Sequence, residues 1–148
     1  VEAPHPWEFL AAGGTRAELV LVLARDLARL HAAGFRHRDL KASNLLVRRT
    51  GAELEIVWTD LDGLARSARL GERTRRRDLA RLGLSFESAA ARAAGVRAGD
   101  WPELVQRYLT AWKGCTPAAA ELERVLAATR LWRERAIRAH LARGDFVR

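Results

Sequence analysis

Methionine is missing from this 148-residue chain, even at position 1, and cysteine occurs once, at Cys115. Without an initiator residue the chain is expected to be part of a longer protein. One cysteine makes no internal disulfide, and four scattered histidines supply no cluster with zinc-ligand spacing. Cys115 is expected as a small, partly buried hydrophobe. Long apolar runs are absent too: the longest covers 19–24, far short of the roughly 18–20 residues a membrane span requires. No signal-peptide pattern opens the chain. Lysine is scarce, supplying two of the 26 basic residues. An arginine skew of that size resembles a coding bias, so the net charge of +8 is weak evidence for nucleic acid, and no interleaved aromatics or recognised motif point to such a partner. The charge favours anionic ligands in general: a nucleotide, a phosphorylated sugar or an acidic membrane surface. No repeat, linker or low-complexity stretch divides the chain, which reads as a single domain over 1–148.

What is present suits a folded core, with 49% apolar and 30% charged residues. Residues 1–14 are broken up by Pro4, Pro6 and Gly13-Gly14, although Trp7, Phe9 and Leu10 line one turn of helix. Thr15-x-x-Glu18 is a capping box, and the spacing predicts a helix over 16–33. Leu19, Leu23, Leu27 and Leu30 form its apolar stripe, Arg16, Arg25, Asp26 and Arg29 lie off it, and Gly34 ends it. A loop over 35–44 leads to strands over 45–48 and 54–59, turned around Thr50-Gly51 into a hairpin that brings the chain back to that loop. After a loop over 63–72, Arg75-Arg76-Arg77 opens a helix with Leu79, Leu82 and Phe86 at helical spacing and Gly95 as its stop. Three arginines in a first turn oppose the helix dipole; they read as a solvated patch or as a contact for phosphate or carboxylate. Asp100-Trp101-Pro102-Glu103 reads as a second capping box, for a helix bearing Leu104, Tyr108 and Trp112 up to Gly114. Thr116-Pro117 starts the last helix, with Leu122, Val125, Leu126, Trp132 and Ile137 on a broad apolar face. Trp101, Trp112 and Trp132 are expected in the core. The fold class is α+β, mostly helical, with one small β-hairpin.

The chemistry concentrates in His37-Arg38-Asp39-Leu40-Lys41-Ala42-Ser43-Asn44 and in Asp60-Leu61-Asp62-Gly63. A hydroxyl attacking a terminal phosphate needs a group to orient it and take its proton, and Asp39 on a loop suits that task. The phosphate charge calls for a hard divalent cation with oxygen ligands, which Asn44 and Asp60 offer. Lys41 lies on the same side of an extended loop as Asp39 and reaches the transferring phosphate as a point charge. Each residue alone is weak evidence, and His37 alone reads as a packing residue. A helix, His-Arg-Asp-Leu-Lys-x-x-Asn, a hairpin and then an aspartate, in that order, are together specific.

Residues 15–82 resemble the C-terminal lobe of the protein-kinase-like superfamily, and in detail the bacterial lipopolysaccharide kinases that phosphorylate Kdo or heptose. The resemblance implies ATP and Mg2+ as cofactors, Asp39 as base, Asn44 and Asp60 as magnesium ligands, Lys41 near the phosphate, and His37 and Arg38 as loop supports. It also implies that Asp78 binds the catalytic-loop backbone from beneath. Asp62 stands where an Asp-Phe-Gly motif has glycine, and is a further metal-ligand candidate. Arg76-Arg77-Asp78-Leu79-Ala80-Arg81-Leu82 resembles that group's basic helix start, and no Ala-Pro-Glu motif follows. A glycine-rich loop and a Val-Ala-Ile-Lys strand are absent, so the N-terminal lobe is missing from these residues, with Val1-Glu2-Ala3 at most the end of a hinge. Such a chain is expected to bind ATP poorly by itself and to turn over little. The expected acceptor is a hydroxyl on an anionic sugar of the lipopolysaccharide inner core, met in the cytoplasm at the inner membrane's inner face. Alternatives are a protein or small-molecule kinase of the same superfamily, a pseudokinase or binding module, and a basic nucleic-acid-binding domain.

Overall fold

The computed structural model describes residues 3–68 and 70–142. In chain order it holds α1 (Pro6–Ala11), α2 (Arg16–Ala32), β1 (Phe35–His37), β2 (Leu45–Thr50), β3 (Glu53–Trp58), β4 (Leu64–Arg66), α3 (Glu72–Phe86), α4 (Ala89–Ala93), α5 (Asp100–Lys113) and α6 (Ala119–Ala142). Short 3-10 turns at Ala42–Asn44 and Leu61–Gly63 precede β2 and β4. Of the hinge candidate, Val1 and Glu2 lie outside the described residues.

The expected capping box starts α2: Thr15 Oγ1 accepts from the Glu18 N–H at 3.2 Å, and Glu18 Oε2 accepts from the Thr15 N–H at 2.9 Å. Gly34 follows the helix with φ +82°, a conformation only glycine adopts without strain. The central helix is buried more widely than one leucine stripe implies. Val20, Val22, Ala24 and Ala28 are buried with Leu19, Leu23 and Leu27, because α5 packs against one side of α2 and β3 lies against another. Asp26 is the consequence that the sequence spacing misplaced. It is buried rather than solvated, and its Oδ2 accepts from the Ile56 N–H at 2.8 Å, fixing α2 to β3.

Two antiparallel ladders form where one hairpin was expected. In the first, β2 and β3 pair from Leu45 with Trp58 to Thr50 with Glu53. Alternation turns Leu45 and Val47 into the core and leaves Leu46 opposite Val57 on the other face. The second ladder joins β1 to β4 through Phe35–Arg66, Arg36–Ala65 and His37–Leu64. Both strands fall in segments read as loops, since three-residue strands carry too little periodicity to register. This ladder closes the 35–44 loop and the 60–63 turn onto a common base.

The helices after the ladders differ from expectation in detail. Helix α3 begins at Glu72, three residues before the arginine run, so Glu72 occupies the first turn and pairs with Arg76 at 2.6 Å. An acidic start of this kind complements the dipole that the arginines alone would oppose. The helix ends at Phe86, and a separate α4 precedes Gly95. At α5 no second capping box forms: Asp100 is the first helical residue, its Oδ2 accepts from the Arg97 N–H at 2.8 Å, and its Oδ1 pairs with Arg16 at 2.8 Å. The last helix starts at Ala119, beyond Thr116-Pro117. Val125 is buried, whereas Ile137, assigned to the apolar face, is 38% exposed. Cys115 is exposed, contrary to its expected place as a small hydrophobe.

Candidate active site

The site is assembled by one buried ring. His37 closes β1, and its Nε2–H donates to the Thr59 carbonyl at 2.9 Å. A carbonyl only accepts, so the proton sits on Nε2, and Nδ1 is left to accept from the Asp39 N–H at 3.3 Å. One imidazole thus ties the loop after β1 to the residue before Asp60. Gly63 lies directly against it: a Cβ there would stand 2.7 Å from His37 Cε1. The Arg38 N–H donates to the Gly63 carbonyl at 2.7 Å, and the Arg38 guanidinium to the Asp62 carbonyl at 2.9 Å. His37 and Arg38 therefore hold the two loops together.

Around this base three side chains converge. Asn44 Nδ2 donates to the Asp39 carbonyl at 2.9 Å, and lies 3.3 Å from Asp39 Oδ2 and 3.4 Å from Asp60 Oδ2. The 3-10 turn Ala42–Asn44 aims that amide, and the Asn44 carbonyl is in turn anchored by the Thr59 N–H at 3.0 Å. Asp60 has φ 53° and ψ 55°, the only left-handed non-glycine among the described residues. Asp and Asn tolerate that region better than bulky residues, and held strain is common where a side chain must be aimed. Lys41 Nζ sits 2.7 Å from Asp39 Oδ2, and this hydrogen bond is the main reason the Asp39 carboxyl lies below the usual carboxylate range. Both side chains remain about half exposed, 48% and 54%, so a substrate can reach them.

The donor set fits a hard cation. Among the described residues no three His, Cys, Asp or Glu side chains form a closed metal cluster. An amide oxygen of Asn44 and a carboxylate of Asp60, with open positions left over, suit Mg2+ that takes further oxygens from phosphates. Asp62 is exposed, and its backbone carbonyl, not its carboxylate, makes the contact to Arg38.

Support from the helices was only partly foreseen. Asp78 is fully buried, but its partner is His31 and not the catalytic-loop backbone: His31 Nε2 lies 3.3 Å from Asp78 Oδ2. His31 Nδ1 meets the Tyr108 hydroxyl at 2.7 Å, and burial pushes that phenol up, so it stays a donor. Among the described residues Asp78 Oδ1 has no hydrogen-bond partner, with Arg81 Nη1 4.0 Å away. The loop backbone is held instead by Ser85, whose Oγ accepts from the Ala42 N–H at 3.0 Å. Nothing in the sequence singles out Ser85, because its partner lies 43 residues away. Beside the site, Pro4, Phe9, Leu46, Val57, Arg48 and Arg49 help line a cleft of about 720 Å3 on the outer face of β2 and β3.

Comparison with known proteins agrees with this architecture. The WaaP chain in a solved complex with acyl carrier protein superposes with a TM-score of 0.66 at 20% identity, over 92% of this chain and 56% of that one. The serine/threonine-protein kinase PkaA of Streptomyces coelicolor is 42% identical over 73 residues, 46% of this chain and 13% of that protein. The chain thus spans little more than half of the solved neighbour and a small part of the curated relative. The family model described as Lipopolysaccharide kinase (Kdo/WaaP) family matches residues 6–108, which hold every converging side chain described above, and the chain belongs to that kinase family.

Proposed function

We propose that this chain supplies the catalytic half of an ATP-dependent phosphotransferase acting on a hydroxyl of a lipopolysaccharide inner-core sugar. The observation that carries the proposal is the convergence of Asp39, Asn44 and Asp60 within 3.4 Å of one amide nitrogen. Asp39 accepts the proton of the attacking hydroxyl as its oxygen bonds to the terminal phosphorus and the bond to the ADP oxygen breaks. Lys41, already beside Asp39, offers its charge to the transferring phosphate. Asn44 and Asp60 would hold Mg2+, with Asp62 as a further candidate; when bound, the ion neutralises charge on the phosphate oxygens. Leu46 and Val57, paired on the open face of the hairpin, give the base of a nucleotide an apolar floor.

Such a chain works on anionic lipid-linked sugars at the cytoplasmic face of the inner membrane, in keeping with its charge of +8. Among the described residues no helix is long and apolar enough to cross a membrane. The match to PkaA favours a second acceptor class, the hydroxyl of a protein side chain. Retention of Asp39, Asn44 and Asp60 disfavours a pseudokinase. Transfer of labelled phosphate from ATP should be assayed with the full-length protein, using Kdo-containing or heptose-containing core oligosaccharide in one arm and a general protein substrate in the other. Label on the sugar, abolished by Asp39→Ala, supports the proposal. Label on protein alone supports the second reading, and transfer that survives Asp39→Ala refutes the role given to that residue.

A further inference from the structure

Arg36, Arg77 and Arg81 have no role in the chemistry just described. Arg77, Arg81 and Ser85 are spaced at i, i+4 and i+8 on α3 and so share one stripe of the helix. The position of that stripe is fixed at one end, because Ser85 Oγ holds the Ala42 N–H, three residues beyond Asp39. Helix α3 also packs on β1, which carries Arg36. Asp39, Asp78, Arg36 and Arg77 all lie close enough to act electrostatically on the Arg81 guanidinium.

The charges there do not balance. Asp39 is already paired with Lys41 at 2.7 Å, and Asp78 stands 4.0 Å from Arg81, beyond hydrogen-bond distance. Of the two carboxylates that act on Arg81, Asp39 is shared with Lys41 and Asp78 stands 4.0 Å away, so the arginines there carry more positive charge than these two offset. Arg81 is also three-quarters buried, at 26% exposure, with its guanidinium 5.4 Å from the Trp132 ring centroid. Burial first, then the nearby arginines, push its pKa down, so the surroundings hold this charge at a cost. Among the described residues none of its N–H donors makes a hydrogen bond. A planar fork with donors left over can take a planar or tetrahedral oxyanion.

We propose that Arg36, Arg77 and Arg81 form a subsite for a phosphate or carboxylate group carried by the acceptor, positioned so that the acceptor's hydroxyl meets Asp39. This rests on the phosphotransferase reading above and adds to it which residues select the acceptor. An uncharged hydroxyl compound leaves the cluster uncompensated, whereas an anionic one neutralises it, which discriminates between acceptors before any chemistry occurs.

The test is an NMR titration of the protein with inorganic phosphate in one arm and acetate in the other, read at the arginine Nε–Hε resonances without Mg2+ or nucleotide. Saturable shifts at Arg81 in either arm are expected, and the tighter arm identifies the anion. Arg81→Gln should weaken binding about tenfold, the loss of one charge-assisted hydrogen bond. Because Arg81 is packed on Trp132, Arg36→Gln and Arg77→Gln serve as variants that disturb the fold less, and each should weaken binding several-fold. Absence of saturable shifts in both arms overturns the subsite. So does binding that is lost in Lys41→Ala but kept in Arg81→Gln, which would place the anion in the nucleotide site. A parallel ATP titration read at Leu46 and Val57 separates the two levels: ATP binding with Arg81 silent to both anions removes the subsite and leaves the phosphotransferase reading intact.

Discussion

Asp39 and Lys41 are half exposed and 2.7 Å apart, which makes them readable by pH. The lysine holds the Asp39 carboxyl below its ordinary range, so Asp39 stays ionised to lower pH than a free carboxylate. Replacing Lys41 with glutamine should therefore move the acid limb of kcat/KM to higher pH, besides lowering kcat; an unmoved limb would show that another group sets it. His37 and Gly63 form the second test at this scale. Gly63→Ala places a methyl 2.7 Å from His37 Cε1 and is expected to destabilise the protein by about 1–3 kcal/mol. His37→Ala should cost about 2–4 kcal/mol through lost packing and the orphaned Thr59 carbonyl. In the double variant the clash has no partner, so the two effects should fall well short of additive in urea melts. Strict additivity would mean that the ring and the glycine are not in contact. That Asp39, Asn44 and Asp60 would come together was legible because their spacing and order are specific. Gly63 and Ser85 were not, because what each touches is set by a fold contact and not by a neighbour in sequence.

Helix α2 is fixed at its start and at its middle. Its start depends on Glu18, whose carboxyl is lowered from 4.5 to about 2, first by the Thr15 N–H and then by Arg49. A lowered carboxylate pKa stabilises the fold above the unfolded value and loses that contribution as pH falls through the folded one. The Glu18 contribution is thus complete above about 4.5 and gone below about 2, and Glu18→Gln should flatten the stability profile across that window. Thermal melts between those pH values check it, and an unchanged slope would count against the capping role. Further along, Asp26→Ala should cost about 1–3 kcal/mol, since the Ile56 N–H loses its acceptor inside the core. Periodicity located α2, α5 and β2–β3 because they are long enough to repeat. It placed Asp26 on the wrong side because a carboxylate can be buried wherever a strand brings it a backbone donor. The β1–β4 ladder was invisible for the related reason that its six residues are paired across 27 to 31 positions of chain.

For the molecule as a whole, under the proposed function, Asn44 and Asp60 offer too few oxygen ligands for tight metal binding by protein alone. Mg2+ without nucleotide should bind only at millimolar concentration, and Mg2+ with ATP together should raise the melting temperature far more than either one. Calorimetric titration showing tight nucleotide-free Mg2+ binding would contradict the open donor set assigned to Asn44 and Asp60. The sequence by itself determined the mostly helical α+β class, the capped central helix, the hairpin and the order of Asp39, Asn44 and Asp60 along the chain, since these depend on local propensity, period and spacing. Only the tertiary structure decided that His37 ties two loops through one ring, that Asp78 turns to His31, and that Ser85 carries the loop at Ala42. The reason is physical: burial and hydrogen bonding across tens of residues are settled by which elements pack together, and no stretch of a single chain states its own partners.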